Sequence, residues 1–156
     1  MKMKMFLKSS LFFLLLFTMN SRMLAQTINT PLKIIEEQFA LWQQGKATIF
    51  DLLDDNVIWE VAGSSPVSGI YQGKNEFLKE AVQPINARFK SAIKPELISI
   101  HADGNWVYLN WKGSALTINN TMYRNTYCWK MKIIDGKIVE AVAFLDTYAL
   151  NELMKQ

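Results

Sequence analysis

Apolar residues recur at every second position through most of the C-terminal half of the chain, and at every third or fourth position near its start. From Met122 to Ile134, the side chains of Tyr123, Asn125, Tyr127, Trp129, Met131 and Ile133 share one face. Arg124, Thr126, Cys128, Lys130 and Lys132 share the other, because successive strand side chains alternate. The large, mostly aromatic face is expected to look inward and the charged face towards water or a partner. Asp135-Gly136, a dipeptide suited to a tight hairpin, leads into a second run that ends Ala143-Phe144-Leu145-Asp146. Upstream, Glu96 to Ala102 and Asn105 to Ile118 flank Asp103-Gly104 in the same manner, and Asn119-Asn120 turns the chain into Met122. Three tight turns in succession require antiparallel neighbours, since parallel pairs need long crossovers.

The first part of the chain reads differently. Thr30 can cap a helix and Pro31 suits its first position, where a missing N–H costs nothing. Leu32, Ile35, Phe39 and Trp42 then form one helical face, and Gly45 can end it. Ile49, Leu52 and Leu53 make a short apolar stripe before Asp54-Asp55-Asn56, which reads as a turn. Val57 to Ala62 reads as a strand with Val57, Trp59 and Val61 on one face. Gly63 to Gly73, rich in Gly, Ser and Pro, reads as a loop with an extended piece at Ile70-Tyr71. Lys74 to Ser91 reads as helical with a kink at Pro84. Thr147 to Met154 closes the chain as a short turn or helix. The pattern predicts a single α+β domain in which helices cover one face of an antiparallel sheet. If the sheet curls around the kinked helix, one internal pocket lies between them.

Composition adds limits. Half of the 156 residues are hydrophobic and 12% are aromatic, enough for one core. The single cysteine, Cys128, excludes an internal disulfide. Met1 to Lys8 is basic, Leu11 to Phe17 is an apolar run of 7 residues, and Thr18 to Ala25 is more polar. That is the layout of a secretory signal peptide cut after Ala25, giving a leader at 1–25, a domain at 26–156, and a periplasmic or secreted product. The run is far below the roughly 18–20 residues that cross a bilayer, so no stable membrane association is expected once the leader is removed. The formal charge of +3 then changes sign: without Lys2, Lys4, Lys8 and Arg22, 13 basic residues face 14 acidic ones. A net charge of −1 gives no electrostatic reason to bind nucleic acid. Metal-ligand spacings, G-x-S-x-G and Gly-rich phosphate loops are missing from the sequence, and no cofactor is expected.

Four passages together resemble the SnoaL-like branch of the nuclear transport factor 2-like superfamily, which is related to ketosteroid isomerases and small polyketide cyclases. Val57-Ile58-Trp59-Glu60-Val61-Ala62-Gly63 is similar to the first strand of that family, and Gly69-Ile70-Tyr71-Gln72-Gly73-Lys74 to its G-x-Y-x-G-[KR] loop. Asn125-Thr126-Tyr127 is similar to its N-x-Y element. Asp135-Gly136-Lys137-Ile138 with Phe144-Leu145-Asp146 is similar to its closing hairpin and terminal acid. The resemblance implies a cone-shaped, cystatin-like roll, with a curved antiparallel sheet around N-terminal helices and an apolar pocket entered at one end. It also implies a homodimer through the outer sheet face. It does not imply one activity, because the same fold hosts isomerases, cyclases, dehydratases, epoxide hydrolases and binders.

In the resembling enzymes an acid in the position of Asp146 points into the cavity and shuttles a proton. A carboxylate among apolar groups is desolvated, and its pKa rises towards neutrality. A second role stays open, since Asp is also a good N-cap for the segment beginning Thr147-Tyr148. Tyr127 and Asn125 are candidate donors to a substrate carbonyl or enolate. Trp59, Trp129 and Phe144 are candidate ligand contacts, with Tyr71 over the mouth. His101, the single histidine, is either a surface residue or a partner for Asp146. Two acids bridged by an arginine, as in epoxide-hydrolase relatives, are not expected, because alternation puts Arg124 outside. Three functions follow: a cofactor-independent isomerase, cyclase or dehydratase using Asp146; a non-catalytic binder of an apolar or aromatic small molecule; or an interaction module using Trp106 and Tyr108 on the outer sheet face.

Overall fold

The Oγ1 of Thr30 accepts a hydrogen bond from the Lys33 N–H, and Pro31 takes the first position of α1 (Pro31–Gln43). Residues 30–156 are described by the structure, a computed structural model; the leader expected at 1–25 lies outside them. Ile35, Phe39 and Trp42 form the buried face of α1. A 3₁₀ turn (Ile49–Leu52) runs straight into β1 (Leu53–Val61), so Asp54-Asp55-Asn56 lies within a strand rather than in a turn. The turn chemistry survives locally: Asp54 Oδ1 accepts from the Asn56 N–H at 2.9 Å, and the pairing of β1 shifts register between Leu53 and Ile58. β2 (Gly69–Gln72) is the extended piece expected around Ile70-Tyr71.

The helical stretch that follows has three parts: α2 (Lys74–Phe77), a π-helical turn (Leu78–Val82) and α3 (Gln83–Asn86). The irregularity expected at Pro84 falls one turn earlier. Pro84 sits at the start of α3, where its missing N–H leaves the Glu80 carbonyl without its helical donor, and widening the preceding turn relieves the ring's clash.

The rest of the sheet is β3 (Lys94–Asp103), β4 (Trp106–Leu116), β5 (Met122–Ile134) and β6 (Lys137–Leu145), followed by α4 (Thr147–Met154). Asp135 (φ 49°) and Gly136 (φ 78°) both take left-handed backbone in the β5–β6 turn, the twist a two-residue hairpin needs. The strand order is β2-β1-β6-β5-β4-β3 in one curved, unclosed sheet. Pairings across the tight turns are antiparallel, but β1 runs parallel to β6, which makes the sheet mixed. No hairpin ties these two strands together, so no tight turn forces them antiparallel.

Curvature and side-chain size together leave a space inside. On the concave face Trp59 lies opposite Ala141 and Trp129 opposite Ala143. The small alanines of β6 make room for large rings from the strands on either side. Gly113 is needed for the same reason. A Cβ there would come within 2.6 Å of Ile93 Cδ1 and 2.9 Å of the Trp111 ring.

Candidate ligand cavity

Aromatic rings supply most of the interior. Trp129 lies at the centre, with ring centroids 4.8 Å from Trp111, 5.2 Å from Trp59, 5.7 Å from Phe50 and 6.0 Å from Trp42. Trp111 stacks on Tyr127 at 4.0 Å and 8°, and Trp59 on Phe77 at 4.4 Å. Between these rings and the helical stretch lies a cavity of about 100 Å³. Its wall includes Trp59, Phe77, Trp111, Tyr127, Trp129 and Ala143, closed at one side by Ala81 and Val82 of the π-helical turn and by Leu150 of α4. Among the described residues that line it there is no carboxylate, imidazole, ammonium or guanidinium group.

One strand row brings three polar side chains together, and of these Tyr127 lines the cavity; Asn86 and the Trp111 indole are the other polar groups of the wall. Tyr123, Asn125 and Tyr127 follow each other on the inner face of β5 by period-two alternation. Asn125 is buried and its amide is saturated. Nδ2 donates to Tyr123 Oη at 2.8 Å and to the Asp146 carbonyl at 2.9 Å, while Oδ1 accepts the N–H groups of Thr126 at 2.8 Å and Asp146 at 3.0 Å. The Tyr123 and Tyr127 hydroxyls are 3.0 Å apart. Burial pushes the Tyr127 hydroxyl well above the ordinary phenol value, with the neighbouring Tyr123 adding to the rise; burial also raises Tyr123. Both phenols are therefore protonated at neutral pH.

Asn125 donates to Tyr123, so the two hydroxyl oxygens hold two protons but make a single bond between them. Whichever way that bond is polarised, one hydroxyl proton has no protein acceptor among the described residues. When Tyr123 donates to Tyr127, the free proton belongs to the tyrosine in the cavity wall. The Trp111 indole N–H, in the same wall, is also buried without a hydrogen-bond partner.

The remaining expected site residues separate into three places. Trp59 and Trp129 line the cavity. Tyr71 is half-buried, packs edge-on against Phe77 at 5.6 Å, and is held outside the wall by that ring. Asp146, Phe144 and His101 are exposed. The inward residues of β6 are Ala141, Ala143 and Leu145, so alternation turns Phe144 outward, opposite Cys128, where it is 50% exposed. Asp146 follows Leu145 and ends the strand; its Oδ1 accepts from the Ala149 N–H at 3.0 Å as the N-cap of α4. The geometry thus gives Asp146 the capping role and leaves it out of the space shared by Tyr127 and Trp59. His101 is paired with Tyr108, while Thr126, the strand neighbour nearest Asp146, is paired with Lys112. Four residues of β4 separate those rows, about 13 Å, so no His-Asp dyad forms. Arg124 is exposed as alternation requires, and Arg88 reaches α4 instead, donating from Nη2 to the Met154 carbonyl at 3.2 Å.

Phe50, Phe77 and Phe89 enter the wall from the helical side. Their apolar spacing marks them as core, but no local signal distinguishes core from cavity wall.

A profile for the SnoaL-like domain matches residues 35–141. The chain belongs to the SnoaL-like family. Its fold agrees with solved structures of the nuclear transport factor 2-like superfamily. An NTF2-like protein from Burkholderia thailandensis E264 superposes with a TM-score of 0.65 at 17% identity, covering 81% of this chain and 98% of that one. TerC, co-crystallized with polyporic acid, gives a TM-score of 0.62 at 16% identity over 81% of this chain and 98% of its own. An LEH-like epoxide hydrolase from M. tuberculosis gives 0.58 at 17% identity, over 80% and 89%. No curated protein matches the sequence. In this SnoaL-like domain the cavity lies between the sheet and the helical stretch, and Asp146 caps α4 beside it. Among the described residues no group of His, Cys, Asp and Glu side chains is placed to hold a metal ion, and no helix is long and apolar enough to cross a membrane.

Proposed function

We propose that this SnoaL-like domain binds a small, largely apolar molecule that presents one hydrogen-bond acceptor to Tyr127, and that it does so without turning it over. The observation that carries the reading is the surplus hydroxyl proton of the Tyr123–Tyr127 pair at the wall of a largely apolar cavity. A buried donor without a partner costs about 1–3 kcal/mol, and a ligand carbonyl or ether oxygen at Tyr127 removes that cost. The aromatic wall supplies the rest of the affinity through burial. Proton-transfer chemistry of the isomerase, cyclase or dehydratase type needs an acid or base within reach of the substrate. The exposed, helix-capping Asp146 is not one of the wall residues. That the related TerC was co-crystallized with polyporic acid supports small-molecule occupancy of this kind of fold.

Acetophenone and ethylbenzene, matched in size and differing in the acceptor, test the reading by calorimetry. Tyr127→Phe should weaken acetophenone about 5–10-fold, the worth of one hydrogen bond, and leave ethylbenzene unchanged. Equal affinities of the wild-type protein for both probes, or equal losses in the variant, would sink the proposal.

A second reading concerns the convex face, where Ile70, Ile58 and Phe144 are 61%, 51% and 50% exposed on the adjacent strands β2, β1 and β6. We propose that this patch is covered by a second copy of the chain. Light scattering should give a dimer for the wild-type protein and a monomer for Phe144→Asp; a wild-type monomer at high concentration would rule the dimer out.

A further inference from the structure

Six residues of the cavity wall, Trp42, Phe50, Val82, Asn86, Phe89 and Ile93, also line a second and larger space of about 530 Å³. The inner space is largely apolar, with Asn86, the Tyr127 hydroxyl and the Trp111 N–H as its polar groups. The outer one adds Thr48, Asp51, Lys74, Lys90 and Ser91. From this juxtaposition we propose that the outer space is the mouth of the cavity, and that the ligand is an amphiphile. Its apolar end lies among the tryptophans, and an anionic head, a single carboxylate, lies between Lys74 and Lys90. The inference rests on the small-molecule reading above and names the class of molecule.

Size makes the first argument. About 100 Å³ holds little more than one ring, so any longer ligand must extend past Phe50 and Phe89 into the outer space. Charge makes the second. Asp51 is the acidic residue of the rim, its Oδ2 accepting the Thr48 N–H at 2.7 Å to close the capping box of the 3₁₀ turn; against Lys74 and Lys90 it leaves the rim with a net charge of +1. Lys90 Nζ donates to Asn120 Oδ1, a neutral partner that leaves its charge uncompensated. Neither Lys74 nor Lys90 takes part in an ion pair among the described residues. Two separate ammonium groups with no arginine fork beside them suit one delocalised negative charge rather than a bidentate clamp. The third argument is their place on the rim. Apolar walls end where the ammonium groups begin, so a molecule with its head in water and its tail buried meets both environments without desolvating a charge.

Binding of 4-phenylbutyrate and 4-phenylbutanol, identical apart from the head, tests the proposal in the wild-type protein and in the Lys74→Gln/Lys90→Gln double variant. The wild-type protein should prefer the carboxylate about fivefold at low salt, the scale of an exposed ion pair, and the preference should fade as salt rises. The double variant should lose the preference while keeping its affinity for the alcohol and its Tm. Equal wild-type affinities, or a preference that persists in the double variant, would overturn the anionic mouth while leaving the cavity reading in place. Binding of neither probe, with acetophenone still bound, would remove the mouth alone; failure of all three would remove the cavity reading with it.

Discussion

Trp129→Ala is expected to cost about 3–5 kcal/mol of folding stability, the range for deleting a large buried aromatic side chain. Trp129 is 5% exposed, its ring lies 6.0 Å from that of Tyr127 on the same strand, and it faces four aromatic rings of other elements within 6.0 Å: Trp42, Phe50, Trp59 and Trp111. These come from α1, the 3₁₀ turn, β1 and β4, so the hole could not collapse by moving one element alone. Cavities that cannot relax give the upper part of the range. Urea denaturation, read as a shift in midpoint at unchanged slope, measures the loss. Trp106→Ala is the control. Trp106 is half-buried on the convex face under Lys130 Nζ, 4.3 Å from its ring centroid, and its loss should cost only about 1 kcal/mol. A Trp129→Ala penalty no larger than that of Trp106→Ala would mean that the aromatic cluster does not organise the core.

Asn125→Ala should be the next most damaging change, at about 2–4 kcal/mol, although Asn125 touches no ligand space. Its amide makes four hydrogen bonds, two of them to the backbone of Asp146 on both sides of that residue. Removing it orphans the Asp146 N–H and carbonyl together and detaches the start of α4 from β5. It also deprives Tyr123 of its donor, which frees the tyrosine pair to repolarise. Asp146→Ala, by comparison, removes one N-cap bond and should cost about 1 kcal/mol. Hydrogen exchange at Leu150 and Leu153, the buried residues of α4, should lose protection in Asn125→Ala much more than in Asp146→Ala. The reverse order would show that the cap, not the amide clamp, holds the helix.

The contrast between these two residues shows where resemblance and residue-level physics part. A terminal acid after an apolar strand suggests a catalytic group. Yet the alternation that puts Ala143 and Leu145 inside also puts Phe144 and Asp146 outside, and that pattern is legible in the sequence itself. The same rule places Tyr123, Asn125 and Tyr127 in one inward row. What the rule does not reveal is that Asn125 spends its whole amide on its neighbours, which leaves Tyr127 as the polar group of that row facing the cavity.

By itself, the sequence determined the α+β class, the helix begun by Thr30 and Pro31, the three antiparallel hairpins, and which side chains of β4 and β5 face inward. All of these follow from local rules: backbone conformations favoured by particular residues, and a side-chain period fixed by the strand. The tertiary structure decided that β1 joins β6 in parallel, that the π-helical turn and the rings of Phe50, Phe77 and Phe89 close one wall, and that Ala141 and Ala143 make room for the rings of Trp59 and Trp129. It also decided which polar atoms are saturated and which are left over. Those outcomes depend on contacts between residues far apart in the chain, and a cavity is a property of all its walls at once, written in no single stretch of sequence.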